Sequence, residues 1–252
     1  LSLRFEEIKE FDAWHPDVRL FSVFDAAPDN EGYFMGHFYL DLHPRDGKYT
    51  HAAIFHLLKR NGDQAPVDCM LTNLPAPTGD DPALLTHDDV VTFFHEFGHI
   101  MHSICSEGDT NNTHLAKCPR DFVEAPSQML ENWCWKPEVL AKLSRHYKTG
   151  DTLPSDLLDK LIAAKNVNVS LGTLRQVYLA TLDITIHSDP PNSAEELQAL
   201  VDKLKLEISL IENPSNCNIL RSFGHLMNQY AAAYYGYLWS EVLSADMFHT
   251  RF

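Results

Sequence analysis

From Thr86 to Ile104 the chain places apolar residues at three- and four-residue steps: Val90, Phe94, Phe97, Met101 and Ile104. That rhythm suits an α-helix and no strand, and Thr86 or Asp88 can supply its N-cap. Phe93-Phe94 and Ile100-Met101 add apolar bulk around the centre of the segment, so burial on most sides is expected. The text before it reads as strands. Val18 to Phe24 and His37 to Leu42 alternate apolar and polar residues, with Phe38, Leu40 and Leu42 on one face. Asp46-Gly47 signals a turn, Pro66 to Leu74 is a third strand candidate, and Pro75, Pro77, Gly79 and Pro82 mark a loop.

The text after it reads as helix. Gly108 to Asn112 is a loop, and Phe122 to Trp135 is helical, with Pro126 requiring a start near Ala125 or a kink. Asp156 to Asn166 is a helix capped by Ser155, and Leu171 to His187 is another. Ser193 to Glu196 is a capping box opening a helix that runs to about Ile211, and Phe223 to Phe248 is the last helical stretch. The expected fold is mainly α: a β-rich segment over residues 1–80 followed by a helical body over residues 86–252.

Within the buried helix stands His95-Glu96-Phe97-Gly98-His99, an HExxH sequence. Residues four apart in a helix differ by ~40° and one turn, so both imidazoles leave one face and can grip a single ion. Glu96 is offset from that face, close enough to reach a water at the ion but poorly placed to ligate beside both histidines. The competing reading is a helix with two surface histidines and a solvated glutamate. The apolar flanks argue against it, because buried imidazoles beside a carboxylate need partners and a metal supplies them.

A catalytic zinc commonly takes three protein ligands and leaves a fourth position for water. Glu124, 25 residues past His99 at the head of the next helix, is a candidate third ligand or simply the cap of its own helix. Glu131, two turns further on the same face, can support a ligand from behind. His102 reads more naturally as a packed or hydrogen-bonded histidine than as a ligand. Near the end, Tyr230, Tyr234 and Tyr237 share a helical face beside His225. Such a stripe is core, or its phenols and the imidazole offer donors to an oxyanion opposite the metal.

The balance of 20 Lys and Arg against 35 Asp and Glu gives a net charge of −15, which disfavours nucleic acid or an anionic membrane surface as partner. The longest apolar run, Tyr230 to Trp239, is broken by Gly236 and falls far short of the ~20 residues that cross a bilayer. Five cysteines, odd in number and without CxxC spacing, suggest a reducing, cytoplasmic setting. The opening LSLRFEEIKE has no initiator Met and no basic or apolar leader pattern, which suggests processing or a piece of a longer chain.

FFHEFGHIMH from Phe93, RDFVEAPSQMLENW from Arg120 and FGHLMNQYAAAYYGYLWSEV from Phe223 resemble the thimet oligopeptidase and neurolysin family of zinc metallopeptidases. FYLDLHPRDGKYTHAA from Phe38 and the closing DMFHTRF resemble it too, so the likeness covers essentially the whole chain. It implies a helical gluzincin (zincin-like) fold, with residues 1–252 forming part of one catalytic domain whose channel admits short peptides. It also implies one zinc per chain held by His95, His99 and Glu124, Glu96 as general base, and His225, Tyr230 and Tyr237 near the substrate carbonyl. The strand around Met70 to Asn73 would be the sheet edge that pairs with bound peptide. The chain departs from the family pattern at Asn228-Gln229, where a Gly-Gly pair is usual, and at Ala231, where an acidic residue is usual. Relatives are more than twice as long, with a helical half before this region and more helices after it. The expected function is a zinc endopeptidase for short peptides. The alternative is a non-catalytic peptide-binding piece of such an enzyme, and a zinc hydrolase for non-peptide substrates has no feature in its favour.

Overall fold

A computed structural model describes residues 2–106, 118–214, 217 and 219–252. The loop expected over Gly108 to Asn112 lies outside the described residues. The chain divides into two compact units, one of Leu1–Cys118 with Pro126–Leu153 and one of Pro119–Ala125 with Pro154–Phe252.

The first unit is built on a five-stranded sheet of β1 (Leu3–Ile8), β2 (Arg19–Asp25), β3 (Phe34–Asp41), β4 (Ala53–Leu58) and β5 (Val67–Leu71), in the order β1-β2-β3-β5-β4. All neighbours are antiparallel except β3 and β5. The period-two pattern of β3 turns Phe38 and Leu40 inward, where they meet Met70 of β5 and Ile100, Met101 and Ile104 of helix α1 (His87–Cys105). Thr86 caps α1: its hydroxyl accepts the Asp89 N–H at 3.2 Å, and the Asp89 carboxylate accepts the Thr86 N–H at 2.8 Å. Helix α2 (Ala125–Glu131) continues as a tight turn to Trp135 and is followed by α3 (Pro137–Leu143). Of the two readings of Pro126, the start near Ala125 is the one observed, since the first turn of a helix has no use for the missing N–H.

Two strands escaped the sequence reading. β1 carries Arg4, Glu6 and Glu7 and is largely exposed, while β4 is apolar yet half in solvent, so neither shows clean alternation. Their presence corrects an expectation. β5 is flanked by β3 and β4 and hydrogen-bonded on both sides, so the strand around Met70 is interior, and the sheet edges are β1 and β4.

The second unit is helical: α4 (Ser155–Ala164), α5 (Val169–Ser188), α6 (Ala194–Ser209) and α7 (Gly236–Arg251). Tyr178, Leu179 and Leu182 of α5 pack with Val201 of α6 and with Tyr234 to form its core. Ser193 caps α6 through the Glu196 N–H, but the Glu196 carboxylate reaches back to the N–H of Asn192 rather than closing the expected box. Pro154, not Ser155, occupies the cap position of α4. The continuous helix read from Phe223 is absent. Residues 224–227 form a 3₁₀ turn, Asn228 Oδ1 accepts the Tyr230 N–H at 3.0 Å, and Ala232 is left-handed at φ 58°, so regular helix begins only at Gly236. Among the described residues no helix is long and apolar enough to cross a membrane.

Candidate metal centre

His95 and His99 lie one turn apart on α1, with ring centroids 5.1 Å apart and planes at 82°. His95 Nδ1 is 2.6 Å from Glu131 Oε1, a contact that fixes the orientation of the ring. Glu96 is buried between them in sequence, only 6% exposed. Gly98 explains how the next helix comes so close: a Cβ there would stand 2.5 Å from Ser127 Cα and 2.9 Å from the Pro126 carbonyl. The first turn of α2 therefore rests on the backbone of α1, and Glu124, the residue immediately before α2, is carried with it.

Glu124 is 2% exposed, and its carboxylate, His95 and His99 each offer a ligand atom, all within 4.8 Å of one another. Zinc bonds of ~2.0–2.2 Å to two imidazoles and one carboxylate suit such a set after small side-chain rotations. A buried carboxylate facing two imidazoles also fits a cation on charge grounds. His102 is not among the three grouped residues.

In the helical unit, the Tyr230 hydroxyl donates to Glu124 Oε1. The Tyr230 ring stacks on Tyr237 at 5.0 Å and 16°, and the Tyr237 hydroxyl lies 3.4 Å from His225 Nε2. Burial, and then the nearby Glu124 charge, push both phenols well above the ordinary tyrosine range, so both remain proton donors at neutral pH. Tyr234, the third member of the stripe, is core: it is 7% exposed and its hydroxyl donates to Gln176 at 2.9 Å.

Three residues near these side chains were not singled out from sequence. Arg120 lies over the Tyr230 ring, 5.5 Å from its centroid, and donates to the Gln229 side chain. Asp121 accepts the Tyr235 hydroxyl at 3.0 Å, and its carbonyl accepts Ser240 Oγ at 2.8 Å. Asp183 accepts two backbone N–H groups of the tyrosine segment. Only Asp183 carried a signal, as a lone charge within the apolar run Val177 to Ile186.

An HExxH helix joined by a carboxylate from the turn that leads into the next helix defines a candidate mononuclear metal centre of the metallopeptidase class. The chain belongs to peptidase family M3, whose model matches residues 1–252. It is 44% identical over 255 residues to the thimet-like oligopeptidase of Dictyostelium discoideum, covering 98% of this chain and 38% of that protein. Saccharolysin of Saccharomyces cerevisiae is 41% identical over 267 residues, covering all (100%) of this chain and 37% of its own length. Oligopeptidase A of Escherichia coli is 42% identical over 252 residues, covering 96% of this chain and 36% of its own length. The chain thus spans little more than a third of these relatives. Other relatives named for their location include a probable cytosolic and an organellar oligopeptidase A of Arabidopsis thaliana, at 34% and 33% identity.

Proposed function

We propose that residues 1–252 form part of the catalytic domain, of gluzincin type, of a zinc endopeptidase that cleaves internal bonds of short peptides in an intracellular compartment. The observation that carries the reading is the grouping of His95, His99 and Glu124 beside a buried Glu96. His95, His99 and Glu124 would hold one zinc, which when bound supplies Lewis-acid polarisation of a carbonyl and a lowered pKa for water. Glu131 holds the His95 ring and Tyr230 holds the Glu124 carboxylate, so both ligands are oriented before substrate arrives. Glu96 takes the proton of the attacking water and delivers it to the leaving amine. Tyr237, with His225, donates to the oxygen on which charge develops, and Tyr230, whose one hydroxyl proton goes to Glu124 before substrate arrives, turns to that oxygen once it is bound.

The test is hydrolysis of a quenched-fluorescent peptide of about ten residues, with chelator and with zinc restored, for the wild type and Glu96→Gln. The expected result is chelator-sensitive internal cleavage in the wild type, and in the variant full zinc occupancy with turnover lowered at least ~10³-fold, in the upper part of the ~10²–10⁴ that a general base supplies because Glu96 serves twice. Near-normal turnover in Glu96→Gln would remove that residue from the mechanism. Zinc and peptide binding with no cleavage by the wild type would make the chain a binding piece instead.

A further inference from the structure

One carboxylate of the helical unit lies beyond the reach of solvent and holds main chain instead of a base. Asp183, in the middle of α5, is 0% exposed and is surrounded in the sequence by the core residues Tyr178, Leu179 and Leu182. Its Oδ1 accepts the N–H of Ala232 at 3.0 Å, and its Oδ2 accepts the N–H of Tyr234 at 2.9 Å. His187, one turn on, hydrogen-bonds the Asp183 main-chain carbonyl through Nδ1 at 2.8 Å, and the same nitrogen stands 3.0 Å from Oδ1. The two captured amides lie between Tyr230 and Tyr237, and one belongs to Ala232, whose left-handed φ of 58° is unfavourable for any residue with a Cβ. A buried carboxylate is costly in a core unless its oxygens are engaged, so packing alone would favour an apolar side chain here. Hydrogen bonds from backbone N–H groups to a carboxylate are of the strong, charge-assisted kind.

We propose that Asp183 is a positioning residue: by holding the Ala232 and Tyr234 amides it forces the chain through the left-handed turn that stacks Tyr230 on Tyr237. The proposal rests on the peptidase reading, in which those two hydroxyls face the reacting carbonyl. Glu124 gains from the same device, since its Tyr230 donor is delivered by this segment.

Asp183→Asn keeps the side-chain shape but places an NH₂ group against one of the two backbone N–H donors. In the zinc-loaded chain, the readouts are residue-resolved hydrogen exchange, zinc content, kcat and KM. The expected result is exchange at Ala232 and Tyr234 faster by about tenfold or more, with the amides of α1 unchanged and the zinc content unchanged at saturating zinc. With it, kcat falls ~10–100-fold while KM changes less than about threefold. Adding Ala232→Gly should recover part of kcat, because glycine adopts the left-handed turn without being held. A merely structural role predicts a lower unfolding midpoint, no split between kcat and KM, and no recovery by glycine. Unchanged exchange at the two amides overturns the proposal, as does faster exchange with unchanged kcat. If Asp183→Asn does not fold, His187→Gln should show the same exchange pattern at smaller amplitude, and its absence overturns the proposal equally. A wild-type chain without turnover would sink the peptidase reading, while the exchange data still decide for or against the anchor.

Discussion

Asp41 shows how much a single side chain can organise. At 2% exposed, its carboxylate accepts Trp14 Nε1 at 2.8 Å and both Arg45 nitrogens at 2.6 and 2.8 Å, with Lys48 Nζ at 2.9 Å. Burial alone would raise its pKa, but the bonds from Arg45, Trp14 and Lys48 outweigh burial and hold it well below the carboxylate range. The folded-state pKa is the lower one, so the stabilisation is complete above the unfolded value near ~4 and is lost as pH falls below it. Asp41→Asn removes the charge opposite Lys48, whose side chain is 1% exposed and keeps the Asp41 and His43 carbonyls, and should cost about 3 kcal/mol at pH 7. Urea midpoints of wild type and variant at pH 7 and pH 3 check this: the gap between them should narrow at the lower pH.

Among the elements, the close crossing of α1 and α2 decides most about the candidate centre. Two helices ordinarily keep their axes 8–10 Å apart, and only a residue without a Cβ lets one backbone rest on another. Gly98 provides this at the centre of the HExxH sequence, and Gly236 does the same where α7 begins, its missing Cβ leaving room for the Arg120 carbonyl at 2.7 Å. Gly98→Ala gains helix propensity but forces Ser127 away, so a net loss of about 1–3 kcal/mol is expected. Because Glu124 travels with α2, zinc affinity should fall in the same variant by about tenfold or more, the range found when a ligand's support is disturbed. Thermal unfolding and a competitive zinc titration read the two effects separately. Unchanged affinity in Gly98→Ala would show that the crossing does not set the position of Glu124.

At the scale of the whole molecule folding brings two imidazoles and a carboxylate together, so a metal held by them would couple its binding to folding. Zinc at about a thousand times its Kd should stabilise the folded chain by about 4 kcal/mol. Excess chelator should remove that increment and lower the unfolding midpoint. Glu124→Ala, lacking one of the three proposed ligands, should show little shift with or without chelator, and calorimetry of the four samples measures the difference. A zinc-independent midpoint in the wild type would deny the three residues their shared role.

Some of this was legible before any coordinates. The helix from Thr86 to Ile104, its cap, and the shared face of His95 and His99 depend only on neighbours within a turn or two, which is the range over which helical geometry acts. The same holds for the alternating strands β2 and β3. The tyrosine stripe misled for a related reason: steps of three and four continue through Tyr230, Tyr234 and Tyr237, yet the Asn228 side chain and the Asp183 carboxylate take the amides a helix would have used. Strands β1 and β4, and with them the interior position of β5, came from pairing between distant segments that local pattern does not encode. The approach of Glu124 to the histidines belongs to the same kind. It follows from a backbone contact at Gly98 across 29 residues of chain to Ser127, and contacts of that span arise from packing and not from propensity.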